Sequence, residues 1–205
     1  MKLAISILTS NYDTKTTIDN INKTNADLFH IDVMDGIFTN KCFDPFEYLK
    51  YCNKPLNVHL MVNNPFEYIS KYKLLNPEYI IFHSEVDDDI DSLIDYVKEN
   101  NIKVGLALKP STSIKSILEY IDKLDEILIM TVEIGEGGQK LLDYTLHKVK
   151  ELIKLRDSRG LNFEIGVDGG INNETIKKVL NTNIITVGSY ITKSDNYQER
   201  INNLL

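Results

Sequence analysis

One pattern constrains this chain more than any other. A short apolar run rich in β-branched residues, then a loop, then a helical stretch recurs eight times within 205 residues. The apolar runs cover residues 3–8, 28–33, 56–62, 79–83, 104–108, 126–132, 163–167 and 184–187. Helical patterning covers 13–24, 45–51, 65–74, 88–99, 113–121, 143–158 and 174–180, with one more helix at the C-terminal end. Asp13 is placed to cap the first of these, and Pro65 suits a first helical turn. Strands that alternate with helices lie parallel, because parallel neighbours need a crossover between them. The expectation is therefore a single-domain (β/α)₈ TIM barrel spanning residues 1–205, with an open doubly wound sheet as the competing architecture. Eight units in so short a chain favour the closed form.

Composition narrows the function classes. At 42% hydrophobic residues the chain can bury a sizeable core. The net charge of -7 is spread along the chain with no basic tract, which argues against a nucleic-acid partner. No apolar run approaches the roughly 18 residues of a membrane span, and the N-terminal run lacks a cleavage signature. Cys42 and Cys52, without a CxxC pairing, read as reduced thiols in a cytoplasmic protein. Barrels of this kind often self-associate through their helical faces, so a homo-oligomer is expected, of unspecified size.

The chemistry collects at the strand ends. In the segment Phe-His-Ile-Asp-Val-Met-Asp-Gly, from Phe29 to Gly36, a period of two points His30, Asp32 and Met34 the same way. A second strand carries His59 two residues before Met61. Ser6, Met130 and Asp168 sit near the ends of three more strands, and the carboxyl ends of barrel strands are where active sites lie. Two imidazoles and two carboxylates (His30, Asp32, His59 and Asp168) make a four-ligand set for a divalent ion. Zinc, iron, manganese and cobalt all fit it. Asp32 and Asp168 also face each other across the mouth, so one could remove a proton and the other return one to the opposite face. Glycines cluster on the last three loops: Gly135, Gly137 and Gly138; Gly169 and Gly170; and Gly188 with Ser189. Backbone N–H groups on such loops are a recurrent phosphate site.

These residues also carry a resemblance. Ser6-Ile-Leu, His30-Ile-Asp-Val-Met-Asp-Gly, His59-Leu-Met-Val, Met130-Thr-Val, Gly137-Gly-Gln, Val167-Asp-Gly-Gly-Ile and Val187-Gly-Ser recur in the order and spacing found in the ribulose-phosphate 3-epimerases. The resemblance implies a metal-dependent barrel of the ribulose-phosphate binding type that converts D-ribulose 5-phosphate to D-xylulose 5-phosphate. It implies His30, Asp32, His59 and Asp168 as ligands, and Asp32 and Asp168 as the acid/base pair acting through a metal-stabilised enediolate. Ser6 and His59 would contact substrate, with the phosphate held by the glycine loops, and Met34, Met61 and Met130 would form apolar walls. The chain departs from the family pattern at Ile134-Gly-Glu-Gly-Gly-Gln-Lys-Leu, where Glu136 replaces an aromatic residue, and at Lys109-Pro110. It also departs in the loop from Phe38 to Cys42, which lacks the usual Pro. Carboxylates at Glu133 and Glu136 would repel a phosphate unless they turn outward or Lys140 or Lys109 compensates. The departures keep open a different ketose, such as a hexulose 6-phosphate (allulose 6-phosphate among them) or a nucleotide-linked ketose. A non-catalytic sugar-phosphate-binding barrel is the reading from a different class.

Overall fold

A computed structural model describes residues 1–204. Eight strands run parallel around a closed ring: β1 (Lys2–Ser6), β2 (Leu28–Asp35), β4 (Leu56–Met61), β5 (Tyr79–His83), β6 (Lys103–Leu108), β7 (Glu126–Met130), β8 (Glu164–Asp168) and β9 (Ile184–Val187). Pairing of β1 with both β2 and β9 closes the barrel, so the open-sheet alternative falls away. The extra strand β3 (Cys42–Phe43) is antiparallel to the end of β2, pairing with Met34 and Asp35.

Alternation within each strand sorts the side chains into two cores. Outward residues such as Ile5, Phe29, Ile31, Val33, Val58 and Leu60 pack beneath the helices in one large apolar cluster. Inward residues Ala4, Leu28, Tyr79, Ile81, Ala107, Leu128, Met130 and Ile184 form a second, smaller one. The remaining inward positions are polar, and they build the site. Both faces of every barrel strand are covered, which explains why the strands read as nearly continuous apolar runs.

Local chemistry sets where the helices begin. The Asp13 side chain accepts from Thr16 N at the start of α1 (Thr14–Asn22). Asn64 caps α2 (Pro65–Tyr72), whose first position is the proline. Asp89 caps α3 (Ile90–Glu99). Caps of this kind are each worth about 1 kcal/mol. The long α4 (Leu146–Arg159) stops at Gly160, whose φ of +64° suits glycine.

Three expected helices are shorter and tighter than the sequence pattern implied. Residues 45–51 form a 3₁₀ turn (Phe46–Tyr51), 113–121 break into two (Ile114–Ile117 and Ile121–Lys123), and 174–180 keep only Ile176–Lys178. The C-terminal helix likewise divides into α5 (Ser189–Thr192) and α6 (Tyr197–Asn202). Both cysteines are free thiols, Cys42 exposed and Cys52 half-buried. Among the described residues no helix is long and apolar enough to cross a membrane.

Candidate active site

Register brings the polar inward residues to one level. Asp32 lies beside His59 on the neighbouring strand, Ser6 beside His30, and Met130 beside Asp168. His30 and His59 are fully buried and Asp32 nearly so, while Asp168 keeps some exposure toward the mouth. His30 Nε2 stands 3.5 Å from Asp32 Oδ1 and 3.5 Å from Asp168 Oδ2. His59 Nδ1 stands 3.4 Å and 3.9 Å from the same two oxygens. One donor atom from each of the four residues falls within 4.8 Å of all the others.

Two observations bear on whether a metal fits. His30 Nε2 and His59 Nδ1 are buried with no hydrogen-bond partner, an arrangement that leaves two potential ligand nitrogens beside the two carboxylates. The nitrogen–oxygen separations also match the edge of about 3.4 Å expected for a tetrahedron with bonds of about 2.1 Å. The four residues therefore form a cluster able to hold a metal. Electrostatics agree. Burial alone would lower the His30 pKa, yet the Asp32 and Asp168 carboxylates hold it well above its ordinary value. Burial would raise Asp32, but the two imidazoles hold it well below the usual carboxylate range. The centre thus favours positive charge between its carboxylates, and a divalent cation would displace the proton from His30 on binding.

Each histidine is held from behind. Burial lowers the His83 pKa to about 4, so its ring is neutral and its Nδ1–H donates to Glu85 Oε2 at 3.0 Å. His83 Nε2 is then an acceptor, taking a hydrogen bond from His59 Nε2–H at 2.9 Å and leaving His59 Nδ1 free for the centre. Behind His30, its Nδ1 meets Asn57 Oδ1 at 2.9 Å, and Asn57 Nδ2 donates to Glu126 Oε2 at 2.9 Å. Burial pushes Glu126 up to about 7. On the other flank, the Ser6 hydroxyl donates to Asp32 Oδ2 at 2.7 Å, turning Oδ1 toward the imidazoles.

Above the cluster opens a cavity of about 440 Å³, whose wall includes Ser6, Asp32, Met61, Met130 and Asp168. Glu136, Gly138, Gly170, Gly188, Ser189 and Lys193 line its other side. Gly170 is demanded by packing: at φ +69° its backbone passes so close to Leu141 that an added Cβ would stand 2.3 Å from Leu141 N. Gly138 faces Ser189 Oγ and Lys193 Nζ, which lie 3.8 and 4.0 Å from where its Cβ would be. Met34 is placed differently from expectation. It is buried, in register with Met61 and paired with Phe43 of β3, and it is absent from the cavity lining. The sequence pattern had no strand at 42–43, and that strand occupies the end of β2.

The charges that distinguish this loop also find their places. Glu136 is largely exposed and pairs with Lys41 at 3.1 Å. The Gln139 amide donates to the carbonyls of Glu133 and Glu136, and Lys109 Nζ sits 4.0 Å above the Phe38 ring. Lys140 lines the cavity as the sequence pattern allowed, and so does Lys193, which faces Gly138 and which that pattern did not single out. Asn57, His83, Glu85 and Glu126 were likewise missed. His83 carried a usable signal, since it ends a strand as a polar residue of inward parity; Lys193 carried none, because only the fold brings it to Gly138.

The model of the ribulose-phosphate 3 epimerase family matches residues 2–192. The chain is 35% identical over 199 residues to the ribulose-phosphate 3-epimerase of Bacillus subtilis (strain 168), with 93% of this chain and 92% of the relative covered.

The chain belongs to the ribulose-phosphate 3-epimerase family.

The corresponding protein of Helicobacter pylori (strain J99 / ATCC 700824) is 34% identical, covering 95% of this chain and 92% of its own length. Members of this family are isomerases, and this chain is an enzyme of that class. The barrel is also similar to KGPDC from Streptococcus mutans, with a TM-score of 0.71 at 14% identity, covering 99% of this chain and 94% of the other. At that identity the likeness concerns the fold alone.

Proposed function

We propose that this epimerase-family enzyme inverts C3 of D-ribulose 5-phosphate to give D-xylulose 5-phosphate. One observation carries the reading: two carboxylates, Asp32 and Asp168, meet two imidazoles at the floor of a cavity whose far side carries glycine backbone and two lysines, Lys140 and Lys193. His30, Asp32, His59 and Asp168 would hold a divalent ion: zinc, iron, manganese or cobalt. When bound, that ion supplies Lewis-acid stabilisation of the negative charge that develops on the substrate oxygens.

The residues of the chain do the rest. One carboxylate of the Asp32 and Asp168 pair takes the C3 proton, the C–H electrons pass into the C2–C3 bond of an enediolate, and the other carboxylate delivers a proton to the opposite face. Their strands lie three steps apart around the eight-membered ring, so the carboxylates approach a bound sugar from two sides. Ser6 would hold Asp32 in place beside that sugar. Met61 and Met130 offer apolar walls that exclude water from the carbanionic carbon. Backbone at Gly138, Gly169, Gly170 and Gly188, with the Ser189 hydroxyl and the Lys193 ammonium, would take the phosphate. The ion pair with Lys41 supports a reading in which Glu136 is drawn away from that anion.

The test is direct. Purified protein with ribulose 5-phosphate in D₂O and each candidate metal should incorporate deuterium at C3 and form xylulose 5-phosphate. No exchange with any metal would remove this substrate. A carboxylate on the cavity rim, Glu136, supports a second reading, in which the same C3 chemistry acts on another phosphorylated ketose such as a hexulose 6-phosphate. Exchange with that ketose at higher kcat/KM than with ribulose 5-phosphate would decide for it.

A further inference from the structure

Glu126 lies outside everything the proposed reaction needs. It is the first residue of β7, its side chain enters the barrel interior below the site, and it is fully buried. A buried carboxyl at this position is not incidental to packing. Its Oε1 occupies the room that a side chain at residue 166 would need, since a Cβ on Gly166 would stand 2.3 Å from it. Gly166 and Glu126 are thus a matched pair. Burying such a group costs several kcal/mol unless it is hydrogen-bonded or neutralised.

Its contact shows a use. Asn57 has one amide with two unlike ends, and buried amides turn toward whichever partners satisfy both. Asn57 Nδ2 donates to Glu126 Oε2 at 2.9 Å, an oxygen that accepts in the ionised group and, with any proton on Oε1, in the protonated one as well, so Glu126 commits the Asn57 NH₂ downward and its Oδ1 upward. That oxygen, 2.9 Å from His30 Nδ1, can only accept in turn, which fixes the ring proton on Nδ1. The His30 lone pair is then left on Nε2, the atom that is buried, unpartnered and aimed between Asp32 and Asp168.

We propose that Glu126 is a positioning residue that acts through Asn57 to lock His30 as the Nδ1–H tautomer and so makes its Nε2 a metal ligand. It touches neither substrate nor cation. The relay is the counterpart of the one from Glu85 through His83 to His59, but it works through an amide whose polarity would be reversible without Glu126. The inference rests on the metal reading of the site given above.

The experiment measures zinc affinity by competition with a chromogenic chelator. Glu126→Leu should weaken zinc binding by about tenfold to a hundredfold, the usual cost of losing a group that orients a metal-binding histidine. The double variant Asn57→Asp with Glu126→Leu should restore affinity to near wild type, because an aspartate at 57 can only accept from His30. Unchanged affinity in Glu126→Leu overturns the proposal, as does a double variant no better than the single one. Thermal melts establish that each variant is folded. Independently of any variant, ¹⁵N spectra of the zinc-loaded wild-type protein should show His30 protonated on Nδ1 and metal-bound through Nε2; the reverse assignment overturns the proposal too. Failure of the wild-type protein to bind zinc, iron, manganese or cobalt would instead remove the metal reading on which it stands.

Discussion

The two ends of the barrel both carry clustered charge, and they handle it in opposite ways. At the N-terminal ends of the strands, Lys2 reaches Glu78 at 3.5 Å, Glu164 at 3.3 Å and the Tyr79 hydroxyl at 3.0 Å. Lys103 reaches Glu78 at 2.9 Å, and the Tyr79 hydroxyl donates to Glu164. Lys2, Glu78, Lys103 and Glu164 each have an opposite partner there and access to water. At the C-terminal ends, two carboxylates converge on two buried imidazole nitrogens without hydrogen-bond partners, at the floor of an open cavity. A cluster that completes itself has no use for a ligand. One left short of positive charge has a standing affinity for a cation and for whatever chemistry that cation supports.

Breaking the functional end should produce the largest effects. Asp168→Asn and Asp32→Asn should each lower C3 deuterium exchange by about a hundredfold to ten thousandfold, with the melting transition retained. Turnover within tenfold of wild type in either variant would falsify the acid/base assignment. Removing metal comes next: chelator-treated protein should lose exchange and regain it on adding the native metal. At a hundredfold excess over Kd, that metal should stabilise the fold by about 2.7 kcal/mol. A melting temperature indifferent to every candidate metal would break the contrast between the two ends. Lys193→Met should raise KM for the phosphorylated sugar by about tenfold at similar kcat, the cost of one charge-assisted contact.

The smallest effects belong to the self-satisfied end. Lys2→Met and Glu78→Gln should cost about 1 kcal/mol or less, diminish in high salt and leave turnover unchanged. Their pH dependence sharpens the comparison. Burial would raise Glu78, but its contacts with Lys103 and Lys2 bring it below its ordinary 4.5. A depressed carboxylate contributes stability above the unfolded pKa and loses it as pH falls through the folded one. Lys2 is raised above 10.5, with burial opposed and outweighed by Glu164 and Glu78, so its contribution holds below 10.5 and fades as pH rises further. The gap in melting temperature between wild type and Glu78→Gln should therefore be level from about pH 5 to pH 10 and close below 4.5. A gap that persists unchanged at pH 3 would show that these ion pairs do not behave as described.

Much of this was legible in the chain itself, for a specific reason. The period of two in Phe29 to Gly36 decides which residues of β2 enter the barrel, so the pairing of His30 with Asp32 follows from their spacing alone. The ring then brings His59 and Asp168 to the same level. What the pattern misjudged was helix type: the stretches at 113–121 and 174–180 have helical spacing, and they settle as 3₁₀ turns. Met34 had the right parity and lies buried beside Met61, outside the cavity lining.

The order of strands, the alternation of their faces and the types of residue at their carboxyl ends follow from local sequence, because strand periodicity is a property of neighbours in the chain. Which nitrogen of each histidine is left bare, why residue 166 must be glycine beside Glu126, and which lysine faces the glycine loops were decided only by the closed barrel. Those outcomes depend on contacts between residues tens of positions apart, and nothing short of ring closure sets their distances.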